Sequence, residues 1–177
     1  MHQGGPATCH TVALTGARNV SRLAEMARAL RADIAVTADE ACLPALRDAL
    51  AGSGIASAAG PQALAEAASR PADRVMSAIV GAAGLQPGLL ALAQGATLAL
   101  ANTESLVTAG PRMLATAKAH GGRILPVDSE HSAIFQALTG EDIASVARII
   151  LTASGGALRD RPLARLALGA ACHGDIG

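Results

Sequence analysis

The residues in this chain that are best suited to chemistry are three consecutive polar side chains, Asp128, Ser129 and Glu130. They lie where an apolar run over residues 122–127 meets a helical pattern, and such a junction is where an open α/β sheet binds its ligands. Two carboxylates supply the hard oxygen ligands that Mg²⁺ or Mn²⁺ prefers, and the hydroxyl between them can bond to a bound substrate. The same triplet is also a common helix N-cap, so both interpretations are open at this stage.

Other polar turns follow apolar runs in the same way. Thr15-Gly16-Ala17-Arg18-Asn19 and Asn102-Thr103-Glu104-Ser105 each end a β-type run, and Thr152-Ala153-Ser154-Gly155-Gly156 ends a third. The planar fork of an arginine suits a phosphate group, which makes Arg18 a candidate anion ligand. A strand-end turn followed by a helix cap is the alternative for the first two segments, with Asn19 and Asn102 or Thr103 as the capping residues.

The elements that must position these turns alternate along the chain. Apolar β-type runs over 11–15, 33–37, 75–80, 97–101, 123–127 and 148–152, with a short segment at 55–58, alternate with helical patterns. These helical patterns cover 20–30, 39–50, 61–68, 85–94, 104–120 and 129–138. The alternation predicts an open, mostly parallel α/β sheet with helices on both faces. The almost wholly apolar run over 75–80 predicts a central strand buried on both faces.

Composition excludes several classes of function. Lys and Arg together number 14, as do Asp and Glu, so no basic field favours nucleic acid or a membrane surface. The chain has one Phe and neither Trp nor Tyr, which argues against stacking on single-stranded bases. Its three cysteines are far apart and form no CxxC motif, so they predict neither a zinc knuckle nor a disulfide framework. With no signal-peptide pattern and no uninterrupted apolar span, we expect a cytoplasmic protein.

Several of these segments resemble the family of 1-deoxy-D-xylulose 5-phosphate reductoisomerase. The resemblance runs from about Val12 to about Leu163 and rests on the Arg18, Asn102, Asp128 and Ser154 segments together with Ala78-Ile79-Val80-Gly81-Ala82-Ala83-Gly84. It implies a Rossmann-like fold and an enzyme, an NADPH-dependent oxidoreductase and isomerase of the non-mevalonate pathway of isoprenoid biosynthesis. The cofactors that it implies are NADPH and Mg²⁺ or Mn²⁺, and the substrate is a phosphorylated sugar.

The resemblance also implies roles for individual residues. Cofactor-binding roles fall on Gly16, Ala17, Arg18, Asn19, Asn102 and Glu104, with Arg18 on the ribose 2′-phosphate. Asp128 and Glu130 would bind the metal. Substrate-binding roles fall on Ser129, Glu130 and Ser154, and on Thr103, which stands where the family has Lys.

The expected domain organisation follows from the same resemblance. We expect a partial NADPH-binding domain over 10–127, the start of a catalytic domain over 128–160, and a loose tail over 161–177. The family's glycine-rich Gly-Ser-Thr-Gly-Ser-Ile-Gly turn and its first βα unit have no counterpart here, and neither does its third metal carboxylate. We therefore expect a truncated chain that is inactive alone and forms a homodimer. The alternative is a non-catalytic remnant that binds a nucleotide or another subunit.

Overall fold

The computed structural model describes residues 9–150, in which strands and helices alternate. The chain divides into two compact units, Met1–Asp128 and Ser129–Gly177. The strands of the first unit are β1 (Ala13–Gly16), β2 (Ile34–Thr37), β3 (Ala56–Ala59), β4 (Arg74–Ser77), β5 (Thr97–Leu100) and β6 (Arg123–Pro126). Its helices are α1 (Val20–Leu30), α2 (Leu43–Leu50), α3 (Gly60–Ala68), α4 (Leu85–Ala93) and α5 (Thr103–His120).

All six strands are paired in parallel, in two sheets of three. The strand orders are β1-β2-β3 and β4-β5-β6, with Ala13 opposite Ile34 in the first sheet and Arg74 opposite Thr97 in the second. The predicted open, parallel α/β arrangement is therefore confirmed. Because the strands of each sheet run in one direction, the loops that leave their carboxyl ends lie at one edge of that sheet.

The first sheet is covered by helices on both faces. Its central strand β2 is buried at all four positions, because alternate side chains of a strand point to opposite faces. On one face Ala35 packs in a cluster with residues of α1 and α2, among them Ala27 and Leu46. On the other face Ile34 and Val36 pack against α3. The short alanine side chains let these helices lie close to the sheet.

The second sheet has its core on the face that carries Leu98 and Leu100 of β5. These two side chains pack with Leu92 of α4 and Met113 of α5, and all four are at most 1% exposed. Within residues 9–150, β4 pairs with β5 alone and is an edge strand. The prediction of a doubly buried central strand over 75–80 was therefore wrong: the strand ends at Ser77, and Met76 and Val80 are 61% and 81% exposed.

Local signals in the sequence set several helix ends. Asn19 caps α1 by accepting a hydrogen bond from the Arg22 amide at 3.1 Å, as predicted. Pro61 lies in the first turn of α3, where a missing amide hydrogen costs nothing. In α5 the backbone at Ala109 is not helical (φ −145°, ψ 30°) just before Pro111, whose ring clashes with the carbonyl four residues earlier and interrupts the helix.

The second unit contains a helix, α6 (Ser129–Leu138), followed by a 3₁₀ turn at Ile143–Ser145. Helix α6 matches its predicted bounds. The strand predicted over 148–152 is absent from residues 148–150, and its last two residues lie outside the described residues. None of the helices between residues 9 and 150 is both long and apolar enough to cross a membrane.

The packing of the second sheet predicts a contrast between two leucines. Leu98→Ala should lower the free energy of unfolding by about 2–5 kcal/mol, because it removes a fully buried side chain and leaves a cavity. Leu114→Ala is the matched control, since Leu114 is 61% exposed and its loss should cost less than about 1 kcal/mol. Urea unfolding followed by circular dichroism measures both. Equal losses for the two variants would contradict the assigned core.

Candidate functional site

A crevice of about 470 Å³ lies at the carboxyl edge of the first sheet. The loop after β1 and the loop after β2 form two of its walls, and the start of α3 forms the third. The loop after β1 is held by a buried hydroxyl, because Thr37 Oγ1 donates a hydrogen bond to the Ala17 carbonyl oxygen. The residues that line the crevice are Ala17, Arg18, Ala38, Asp39, Glu40 and Pro61.

Arg18 and Asp39 form an ion pair in this crevice. Arg18 Nε donates to Asp39 Oδ2 at 2.9 Å, while the other carboxylate oxygen, Oδ1, accepts from the Ala41 amide at 3.0 Å. The Arg18 side chain is 83% exposed, so its guanidinium group is open to a ligand from solvent. An ion pair of this kind contributes little to stability, so the Arg18 side chain can bind a ligand at little cost to the fold.

Glu40 forms part of the crevice wall beside Gly60, the first residue of α3. Gly60 has φ +88°, and a Cβ atom added there would lie 2.5 Å from Glu40 Oε1. The positive φ favours glycine at this position, because residues with a side chain rarely adopt it. With Arg18, Asp39 and Glu40 in its lining, the crevice carries one cationic and two anionic side chains.

A second cavity, of about 210 Å³, lies between β1 and α1. Its walls are mostly apolar and include Leu23 and Met26 of the helix. Gly16 and Asn19 line this cavity, whereas Arg18 lines the larger crevice. The four predicted cofactor-binding residues 16–19 are thus divided between two adjoining cavities, with Ala17 at both.

At the carboxyl edge of the second sheet, Asn102 connects two loops. Its amide nitrogen donates to the carbonyl oxygens of Ile79 and Gly81, the latter at 2.9 Å, and its Oδ1 accepts from the Ser105 amide at 2.9 Å. The residue is 3% exposed. Its polar atoms are therefore bonded within the fold, where they join the loop after β4 to the N-terminus of α5.

Gly84 is required by the same arrangement. A Cβ atom at this position would lie 2.5 Å from the Ile79 carbonyl oxygen and would also collide with the Asn102 amide nitrogen. Close internal packing therefore explains the glycine at position 84.

The first turn of α5 carries the other predicted residues of this loop. Thr103 is half-buried and Glu104 is exposed near the positive end of the helix dipole. Ser105 is 1% exposed, and within the described part of the chain its hydroxyl oxygen has no hydrogen-bond partner.

Asp128 closes the first unit, two residues after β6. The Val127 amide donates to the Leu100 carbonyl oxygen at 3.0 Å, which places the start of this turn beside the end of β5. Asp128 and Asn102 therefore follow neighbouring strands at one sheet edge.

Ser129 and Glu130 begin α6 in the second unit, and Ser129 Oγ donates to Glu130 Oε2 at 2.7 Å. Across residues 9–150, no three His, Cys, Asp or Glu side chains are grouped closely enough to hold a metal ion.

Comparison with known proteins identifies the family. The family model described as 1-deoxy-D-xylulose 5-phosphate reductoisomerase matches residues 3–110, and the model of that enzyme's C-terminal domain matches residues 124–171. The chain belongs to the 1-deoxy-D-xylulose 5-phosphate reductoisomerase family. A reductoisomerase from Cereibacter sphaeroides is 67% identical over 166 residues, which cover 94% of this chain and 42% of the relative. One from Jannaschia is 69% identical over 157 residues, covering 89% of this chain and 40% of the relative.

Solved reductoisomerase structures share the fold. The enzyme from Zymomonas mobilis in complex with NADPH matches with a TM-score of 0.80 and 49% identity, over 90% of this chain and 42% of that one. A complex with NADPH, fosmidomycin and magnesium matches with a TM-score of 0.74 and 37% identity, over 88% of this chain and 41% of that one. The predicted family is therefore confirmed, and the chain spans about 42% of the length of the relatives that it matches.

The predicted site residues lie in different environments in the structure. Arg18 lies in an open crevice, Asn19 and Asn102 cap helices, and Asp128 follows β6 at a sheet edge. Ser154 lies outside the described residues. Their assignment to cofactor, substrate and metal remains a prediction.

Sequence reasoning missed two residues of the crevice, Asp39 and Glu40. A signal was present, because both directly follow a predicted strand, as Arg18 does. Parallel neighbouring strands bring such positions to one edge, so these acidic residues could have been placed beside Arg18.

The bonds of Asn102 predict a pH-dependent defect in the Asn102→Asp variant. The new carboxylate would keep the Ser105 amide contact but would face two carbonyl oxygens without a proton to donate. We expect a loss of about 3 kcal/mol or more in the free energy of unfolding at neutral pH. Burial raises the pKa of such a carboxyl group in the folded state, so the loss is complete above that pKa and shrinks as the pH falls towards the unfolded value.

Urea unfolding of wild type and variant across acidic and neutral pH measures this effect. Ser105→Ala is the control, because its hydroxyl makes no hydrogen bond among the described residues and its removal should change stability by less than about 1 kcal/mol. A deficit for Asn102→Asp that does not depend on pH would show that the two carbonyl contacts are not as described.

Proposed function

We propose that this chain provides the nucleotide-binding part and the beginning of the catalytic part of a 1-deoxy-D-xylulose 5-phosphate reductoisomerase. That enzyme converts 1-deoxy-D-xylulose 5-phosphate to 2-C-methyl-D-erythritol 4-phosphate with NADPH and a divalent metal ion. The observation that carries the proposal is the exposed Arg18 guanidinium in a crevice at the carboxyl edge of a parallel sheet. In this proposal residues 10–127 form the nucleotide domain and the catalytic domain begins at residue 128. The predicted segments 128–160 and 161–177 extend outside the described residues.

The adenosine half of NADPH would occupy the Arg18 crevice. Arg18 offers a planar set of donors for the ribose 2′-phosphate, while Gly16 and Ala17 permit close approach of the backbone. Asn19 keeps the loop in place by capping α1. When bound, NADPH supplies the hydride, and Asn102 and Glu104 would lie towards its nicotinamide half.

The metal site of the proposal consists of Asp128 and Glu130. Their oxygens suit Mg²⁺ or Mn²⁺, which in such a site acts as a Lewis acid on substrate oxygens. Two carboxylates fill only part of the coordination shell of a hard cation, so further oxygen ligands are needed beside them. The hydrogen bond from Ser129 orients the Glu130 carboxylate.

The substrate would be bound by Ser129 and Glu130 in the first turn of α6, and by Ser154. Thr103 at the start of α5 offers a neutral hydroxyl where the family has a lysine. A neutral hydrogen bond contributes about 1 kcal/mol net, whereas an ammonium group also stabilises a developing oxyanion. The threonine at position 103 is therefore a reason to expect slow turnover by this chain.

A second candidate function is a non-catalytic nucleotide-binding or subunit-interaction protein. Thr103 and the absence of a third metal-ligating side chain from residues 9–150 favour it. Subunit interaction, including the homodimer expected from the sequence, is supported by exposed apolar side chains such as Val107 and Phe135, which are 88% and 46% exposed.

The nucleotide proposal predicts a selective defect in Arg18→Gln. NADPH binding should weaken about tenfold or more while NADH binding changes little, because the lost charge-assisted bonds reach the 2′-phosphate alone. Fluorescence titration of both nucleotides measures the ratio. Arg70→Gln is the matched control, because Arg70 is also in an ion pair, with Glu66, but does not line the crevice. Equal weakening by both substitutions would refute the assigned site.

The catalytic proposal predicts slow turnover. With NADPH, Mn²⁺ and 1-deoxy-D-xylulose 5-phosphate, NADPH oxidation should run at least about a hundredfold below the rate of a full-length relative, as expected when an electrostatic donor is missing. Thr103→Lys alone should not restore the rate, since the described residues contain no group of three His, Cys, Asp or Glu side chains that could hold a metal ion. Turnover near the relative's rate would rule out the non-catalytic alternative, and it would contradict the effect assigned to Thr103.

A further inference from the structure

Asp39 is the crevice residue whose position gives it control over Arg18. We propose that Asp39 sets how strongly the crevice prefers a ribose 2′-phosphate to a 2′-hydroxyl group, an inference that rests on the proposed nucleotide function. It does so by placing a competing negative charge beside the guanidinium group, with which it is in contact through Nε.

The geometry of the pair defines this contact. Asp39 is anchored at both oxygens, by Arg18 Nε at 2.9 Å and by the Ala41 amide at 3.0 Å. Its side chain is 31% exposed, against 83% for Arg18, so the aspartate is the fixed member of the pair. A guanidinium group has five N–H donors and Nε carries one of them. The contact with Asp39 therefore uses one donor and leaves the two terminal nitrogens for a ligand.

The charges in the crevice support the competing role. Arg18, Asp39 and Glu40 together carry one positive and two negative charges. A phosphate group carries about −1.5 to −2 at neutral pH, so both carboxylates oppose its binding. A hydroxyl group has no such charge and can donate a hydrogen bond to a carboxylate. Asp39 therefore acts in opposite directions on the two ligands, and its contact with the cation makes its effect larger than that of Glu40.

The test uses two probes that differ by the 2′-phosphate alone, adenosine 2′,5′-bisphosphate and adenosine 5′-monophosphate. Asp39→Asn keeps an acceptor for the Ala41 amide but removes the charge. It should tighten binding of the bisphosphate about three- to tenfold and weaken binding of the monophosphate by less than about twofold. Salt should reduce the gain, because the effect is electrostatic. Calorimetric titration gives the affinities, and NMR of the Arg18 Nε–H group reports whether the guanidinium is released.

Two further variants separate charge from structure. Glu40→Gln removes a charge from the same crevice without breaking the Arg18 contact and should give a smaller gain for the bisphosphate. Asp39→Ala also removes the acceptor for the Ala41 amide, so any purely structural role would weaken or strengthen both probes together.

The outcomes distinguish this inference from the function on which it rests. An unchanged or lower ratio of bisphosphate to monophosphate affinity in Asp39→Asn overturns the inference, as does a parallel change for both probes. If Arg18→Gln abolishes the 2′-phosphate preference while Asp39→Asn leaves it intact, the proposed nucleotide site is supported and the proposed role of Asp39 is rejected. If wild type shows no 2′-phosphate preference, both are rejected.

Discussion

Parallel pairing of the strands is the constraint on which the candidate site residues of the first unit depend. It sends the loops of one sheet to one edge, and backbone bonds extend the ladders beyond the strands themselves. The Ala38 amide donates to the Gly16 carbonyl oxygen at 2.8 Å, and the Val127 amide to that of Leu100 at 3.0 Å. The loops that hold Arg18, Asp39 and Asp128 are therefore fixed, where they leave the strands, by hydrogen bonds that continue those of the sheets.

Within this frame, buried polar side chains hold individual loops. Thr37 fixes the turn before Arg18, and Asn102 joins the loops after β4 and β5. Both residues are almost fully buried, where an unsatisfied polar group would cost more than a hydrogen bond contributes. These contacts give the loops defined conformations, although the surrounding core consists mostly of small and medium aliphatic side chains.

Much of the fold could be predicted from local patterns. Asn19 before α1 and Pro61 in α3 act through neighbouring backbone groups, so the sequence around them was sufficient. The status of β4 could not be predicted in that way, because an apolar run shows that a strand is favourable but not how many neighbours it pairs with. Its exposed Met76 follows from sheet order, a long-range property.

The same difference between local and long-range properties applies to the candidate site. Arg18 was found from its residue type and its place after a strand, whereas its pairing with Asp39 depends on the register between β1 and β2. Asn102 shows the opposite limit, since its type fits both ligand binding and structural bonding. Burial and three hydrogen bonds show its structural role, while its role in cofactor binding stays a prediction.

The interruption of α5 at Ala109 divides this helix into two segments. The second segment is held in the core by Met113 and Ala117, while the first carries Thr103 and Glu104 in its first turn and packs on the same core through Leu106. Because the backbone between them is not helical, the two segments need not share one straight axis, and each can follow the surface on which it packs.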